Sequence, residues 1–313
     1  ASPAARGPAH DGTHAMRSLL ALFSASPALF VGAVFVLGLL VGSFLNVVIY
    51  RLPVMLDRSW RAQCAELTGH DQIPSGERFD LIAPPSTCPE CGHRITFREN
   101  IPVVSFLFLG GKCSACRTRI SRRYPAVELG TALLSVLVAW RLGTGWPCLF
   151  ALLFTWSLIA LSGIDLDTKL LPDTITLPLL WLGLLVNLGT SAPNSVGTFA
   201  SLHDAVLGAV AGYLVLWGVY HLFRLLTGKE GMGYGDFKLL AAFGAWFGWQ
   251  MLAQILILSS LAGAVIGVTL ILVRRHEQGN PIPFGPYLAI AGVIALFFGQ
   301  QINDWYLDIA GLA

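Results

Sequence analysis

The chain has 313 residues, of which 55% are hydrophobic and only 12% charged, and its mean hydropathy is +0.66. A soluble domain carries about 25% charged residues, so the composition excludes an ordinary soluble enzyme and indicates a polytopic membrane protein. The formal net charge of +2 is too small to suggest a nucleic-acid partner.

Residues 1–15 are small and polar without periodicity and read as a disordered tail that reaches to about residue 27, with Met16 as an alternative start. From Arg17 an apolar stretch runs to Tyr50. A signal-peptide core has only about 7–15 such residues, so a retained first span over 28–50 is the expectation. Residues 51–125 form the only sizeable polar region. A bilayer crossing takes roughly 20 apolar residues, and seven further segments qualify: 126–143, 147–164, 172–190, 205–226, 236–248, 250–273 and 281–299, of which 236–248 is short. Residues 301–313 read as a C-terminal tail.

Five of the six cysteines lie in the polar region, four of them as Cys88-x2-Cys91 and, after twenty-one residues, Cys113-x2-Cys116. Two such turns supply four thiolates in a tetrahedron, a zinc site in a reducing compartment, whereas a secreted disulfide framework has other spacings. Four protein ligands close the coordination sphere, so the Zn2+ is structural. His93 then has no vacancy to fill and reads as solvent-facing or hydrogen-bonding. Cys64 and Cys148 are left over as free thiols. The expected fold is therefore an all-α polytopic membrane protein of about eight transmembrane helices. A small zinc-binding domain (51–125) is inserted between helices 1 and 2, and a seven-helix membrane domain occupies 126–300.

Eleven of the twenty Lys and Arg residues lie between Arg51 and Arg123. With 51–125 in the cytoplasm, eight alternating spans put 17 basic residues on that side and three on the other, as positive-inside bias requires. This topology brings Asp165, Asp167, Asp173 and Asp236 to the cytoplasmic end of the spans. An ionisable group there is a functional candidate, since burying it unpaired costs several kcal/mol. Each also has a structural reading: Asp236 as N-cap of the helix "FKLLAAFGAW", Asp173 as a cap after Pro172, and Asp165 or Asp167 as partner of Lys169. Two carboxylates brought within a few Å share a proton. One then acts as base on water while the other polarises a carbonyl, the chemistry of aspartyl proteolysis. Gly233 and Gly235 beside Asp236 leave room for a substrate backbone.

The motifs "GSFLNVVIYRLP" (42–53), "NIPVVSFLFLGGKC" (100–113), "SRRYPAVE" (121–128), "IDLDTKLLPD" (164–173), "GYGD" (233–236) and "IPFGPYLAIAG" (282–292), with the two CxxC pairs, follow one another in the order of a known family. The chain resembles the type IV prepilin peptidases, bifunctional leader peptidases and N-methyltransferases of type IV pilus and type II secretion systems, from about Val31 to Gly299. The resemblance implies an intramembrane aspartyl endopeptidase of the GxGD type in the bacterial inner membrane. Its catalytic pair falls on Asp165 and Asp236. Asp165 is preferred to Asp167, a helper or structural acid, because the seven residues to Pro172 match the spacing in relatives with one aspartate there. The resemblance further implies prepilin or pseudopilin substrates, whose basic leader is hydrolysed at the cytoplasmic face, and S-adenosyl-L-methionine as donor for methylating the new N-terminus. Lipid surrounds the spans; the oligomeric state is left open.

The methyl-transfer site is not marked by a glycine fingerprint for a doubly wound domain. Glu99 and Asn100 of "REN", Arg123 and Glu128 are the candidates. Their structural alternatives are a turn before Ile101-Pro102 for Asn100 and interfacial snorkelling for Arg123. Asn46 and Arg51 read as substrate positioners or as helix glue and positive-inside anchor. A reading from a different class is an ion- or proton-coupled transporter with a regulatory zinc module, which would place acids near span centres. A silent scaffold is the third.

Overall fold

The computed structural model describes residues 21–69, 78–189, 199–274 and 283–311. Of the expected tail over 1–27, residues 1–20 lie outside the described residues, as does most of the loop before the last span, whereas residues 21–25 and Pro27 are helical and so not disordered. Among the described residues the chain is helical. The only strand-like pairings among these residues are two isolated antiparallel bridges, Thr87 with Arg94 and Lys112 with Arg119.

The helices are α1 (Pro27–Thr68), α2 (Val104–Phe108), α3 (Arg123–Leu142), α4 (Trp146–Thr168), α5 (Asp173–Gly189), α6 (Leu202–Thr227), α7 (Tyr234–Phe247), α8 (Leu252–Arg274) and α9 (Gly285–Ala310). Six of them, α1, α3, α4, α6, α8 and α9, are long and apolar enough to cross a membrane. The other two positions of the eight-span expectation are taken by shorter apolar helices, so eight is an approximate count. With 14 residues, α7 is about 21 Å long, short of a hydrocarbon core of about 30 Å.

α1 runs well past Tyr50. Pro53 lies inside it, and the stretch beyond is rich in helix formers braced by an Asp57–Arg61 pair at 2.8 Å. It stops at Gly69, whose φ of 64° ends the helix in the left-handed conformation. At the other end of the chain α9 continues through residues 301–310.

α7 is the most enclosed helix, with its residues from Phe237 to Trp246 almost all buried. Its backbone lies directly on α6, because Gly208 and Gly244 face each other and a Cβ on either would overlap the other's backbone. Trp246 fixes the far end: its indole N–H donates to Leu179 O of α5 at 2.8 Å, and its ring lies 4.8 Å from that of Phe154 on α4. The same small-residue logic joins α1 to α3, where Gly42 sits on the Glu128 backbone and Asn46 donates to Tyr124 O at 3.2 Å. Asn46 is thus helix glue. Arg51, also buried, donates to Asp80 O (2.9 Å) and Pro84 O (2.6 Å) and holds the start of the polar segment against α1.

Candidate active site and metal centre

The two cysteine turns are built alike. In the first, Cys88 N–H donates to His93 O at 2.9 Å and Gly92 N–H to Cys88 O at 3.0 Å; in the second, Cys113 N–H donates to Thr118 O at 2.8 Å and Arg117 N–H to Cys113 O at 3.1 Å. The residue after each second cysteine is left-handed, Gly92 with φ 71° and Arg117 with φ 62°. Together they bring the Sγ atoms of Cys88, Cys91, Cys113 and Cys116 within 4.8 Å of one another, with Cys88 and Cys116 at 3.8 Å. A tetrahedron with Zn–S bonds of about 2.3 Å has S–S edges of about 3.8 Å, so the four thiols fit a zinc ion. His93 stands outside the set, its Nε2 3.3 Å from Glu99.

Glu99 serves the same module. It accepts from the N–H (2.8 Å) and hydroxyl (2.7 Å) of Thr96 in a capping box. Hydrogen bonds from Ser114, on the second cysteine turn, and from Thr96 pull its carboxyl down to about 2. Glu128, buried on α3, accepts the Val103 N–H at 2.7 Å. Val103 has a φ of 60°, a strained value for a β-branched residue, so Glu128 fixes the junction between the polar segment and α3. Arg123 contacts both carboxylate oxygens of Asp167 at 2.7 Å. Asn100 is exposed. Three of the four cofactor candidates thus carry structural bonds.

Asp165 and Asp236 do converge. Both line a cavity of about 290 Å³ whose walls are the end of α4 with Lys169 and Leu171, the turn Glu230–Asp236, and Pro283 with Phe284. Both are buried, at 5% and 6% exposure. Asp165 lies in the last turn of α4, where Lys169 terminates the helix with a φ of 59°. Its Oδ2 accepts the Gly285 N–H at 2.9 Å, so the first residue of α9 orients it. Asp236 is not at the N-cap position that its alternative, structural reading gave it. The cap is Gly233 and α7 begins at Tyr234, which puts Asp236 in the first turn, because the backbone of Gly-Tyr-Gly already turns into helix before the aspartate.

The two glycines of that turn have separate tasks. Gly233 is open, with nothing closer than 3.9 Å to a Cβ built there, and leaves the cavity free. Gly235 is a packing glycine: a Cβ would stand 2.6 Å from Leu171 Cβ. Asp167 points away from the cavity into its pair with Arg123, and Asp173 pairs with Lys238 at 2.7 Å. Gly285 was not singled out from the sequence. A Cβ there would lie 2.8 Å from Asp165 Oδ2, and the glycine between two prolines in "PFGP" is its only trace in the sequence.

A family model for the bacterial peptidase A24 N-terminal domain matches residues 36–142, and one for the type IV leader peptidase family matches residues 152–268. A prepilin leader peptidase/N-methyltransferase of Aeromonas salmonicida is 58% identical over 295 residues, covering 94% of this chain and 99% of the relative. The protein of that name in Pseudomonas aeruginosa is 56% identical over 293 residues, with the same shares. In Burkholderia pseudomallei the identity is 47% over 297 residues, covering 93% and 92%. No solved structure matches. The first family match takes in the cysteine module and the second both aspartates, and with relatives alike along nearly their whole length, the chain belongs to the type IV leader peptidase family.

Proposed function

We propose that the protein is a membrane-embedded aspartyl endopeptidase that cleaves the leader from prepilins or pseudopilins and then N-methylates the new N-terminus. The observation that carries this reading is the pair Asp165 and Asp236, delivered by separate helices into one cavity at one end of the bundle. In the reaction one carboxylate takes a proton from a water as its oxygen attacks the scissile carbonyl carbon, and the other, protonated, donates to the carbonyl oxygen. The tetrahedral gem-diol collapses as the C–N bond breaks, and the proton taken from water passes to the leaving amine. Gly285 N–H keeps one carboxyl aimed, and Gly233 leaves space for the peptide backbone.

Zinc, held by Cys88, Cys91, Cys113 and Cys116, supplies a cross-link between the two turns and no open position for chemistry. S-adenosyl-L-methionine, the proposed methyl donor, supplies an electrophilic methyl group. Glu99, Asn100, Arg123 and Glu128 remain the candidates for its contacts, and Glu99, Arg123 and Glu128 also hold structural bonds. The site, with the zinc module, faces the cytoplasm of a bacterial inner membrane, where the loops richest in Lys and Arg lie. The transporter reading is set aside by the family match, and the acids gather at one end rather than along span centres.

Full-length protein in lipid, incubated with a prepilin with and without S-adenosyl-L-methionine, tests the reading by mass spectrometry of the product. Shortening without the donor, and shortening plus one methyl group with it, are expected. An unshortened prepilin would overturn it.

A further inference from the structure

The acids at this end of the bundle fall into two groups. Asp167 and Asp173 are neutralised by Arg123 and Lys238, each at 2.7 Å. Of the three that line the cavity, Asp165 and Asp236 have no ion pair among the described residues, and Glu230 has only a long, exposed one. Asp165 is held by a backbone N–H, and Glu230, whose side chain is 68% exposed, reaches Arg224 only at 3.8 Å, a spacing worth little in water. Among the described residues Lys169 is the one cation in the cavity wall, and its ammonium leans on Leu166 O at 3.3 Å. With one proton shared between the aspartates, the cavity still carries a surplus negative charge, and Glu230 is its outermost carboxylate.

Glu230 also occupies an unusual place in the chain. The turn from Gly228 to Gly235 has glycine at four of its eight positions, so few side chains from it reach the cavity. In so bare a wall Glu230 is the carboxylate that both lines the cavity and opens to solvent, where a cationic group of a bound peptide can reach it.

Resting on the peptidase reading above, we infer that Glu230 is a specificity-determining residue: it takes a cationic side chain of the substrate segment that lies across Asp165 and Asp236. Lys169, on the α4 wall, gives the cavity an opposite pole, so that a peptide carrying a positive charge on one side of the cut binds in a single direction. Exposed charges of this kind act on capture more than on chemistry, so the effect belongs in KM.

The test uses full-length protein in lipid and a set of prepilins carrying Lys, Gln or Glu at one position at a time on each side of the cut. At one position the wild type is expected to prefer Lys to Glu by about tenfold in kcat/KM, mostly through KM. Glu230→Gln should flatten that preference and Glu230→Lys should invert it, with the unfolding midpoint confirming that each variant is folded. If Glu230→Lys keeps the wild-type order at every position while cleaving, the assignment of Glu230 is wrong and the peptidase reading stands. If the wild type cuts none of the substrates, both fall.

Discussion

The four thiols of the metal centre come from one stretch, residues 88–116, whereas the aspartate cavity is assembled from residues 165–171, 230–236 and 283–285. In the first, the ligands face each other and leave no room; in the second, two carboxyls face an open volume of about 290 Å³. A closed local set gives a fold to a segment with little core. An open set drawn from distant helix ends gives reacting groups a place to meet a substrate, and depends on the whole bundle to hold them there.

The comparison breaks most sharply if the metal is taken away. A structural zinc contributes about 10–16 kcal/mol of apparent binding free energy, so Cys113→Ser should lose the metal and open residues 86–120 to limited proteolysis while α4–α9 stay protected. Protection of both regions without metal would erase the distinction. Gly285→Ala should do the reverse: its Cβ, 2.8 Å from Asp165 Oδ2, displaces the carboxyl and should lower kcat by about 100-fold with zinc content unchanged.

Smaller effects sharpen the line between the cavity and its surroundings. Asp167→Ala removes a pair whose side chains are 42% and 39% exposed, and so should cost at most about 1 kcal/mol in stability and leave cleavage within about threefold of wild type. A loss comparable to that of Gly285→Ala would move Asp167 into the reaction. Arg117→Gly relieves the left-handed strain of the second cysteine turn, which its counterpart Gly92 avoids. A gain of about 0.5 kcal/mol in module stability is expected after the entropy cost of glycine, measured by chemical denaturation.

The two regions also differ in what the sequence discloses. The cysteine site is legible because its geometry is local: the CxxC spacing itself turns the chain so that thiols face one another. The aspartates are legible as residues, through helix ends and motif neighbours. Their setting is less so. The Gly285 N–H that holds Asp165 comes from 120 residues away, and no periodicity encodes that contact. A cap was one structural reading of Asp236, since the apolar run starts after it, yet the helix starts at Tyr234. Glu99, Arg123 and Glu128 invited a cofactor reading as polar residues near a membrane, and their bonds to Thr96, Asp167 and Val103 appear only once the chain is folded.

The central claim is that Asp165 and Asp236 act together on one peptide bond while the neighbouring acid does not. It is tested most directly by measuring prepilin cleavage with Asp165→Asn, Asp236→Asn and Asp167→Asn under one set of conditions, with zinc content and unfolding midpoint confirming each fold. A loss of about 1,000-fold or more is expected for each of the first two, with no further loss when they are combined and near wild-type cleavage for the third. Normal cleavage by either Asp165→Asn or Asp236→Asn in a folded protein would contradict it.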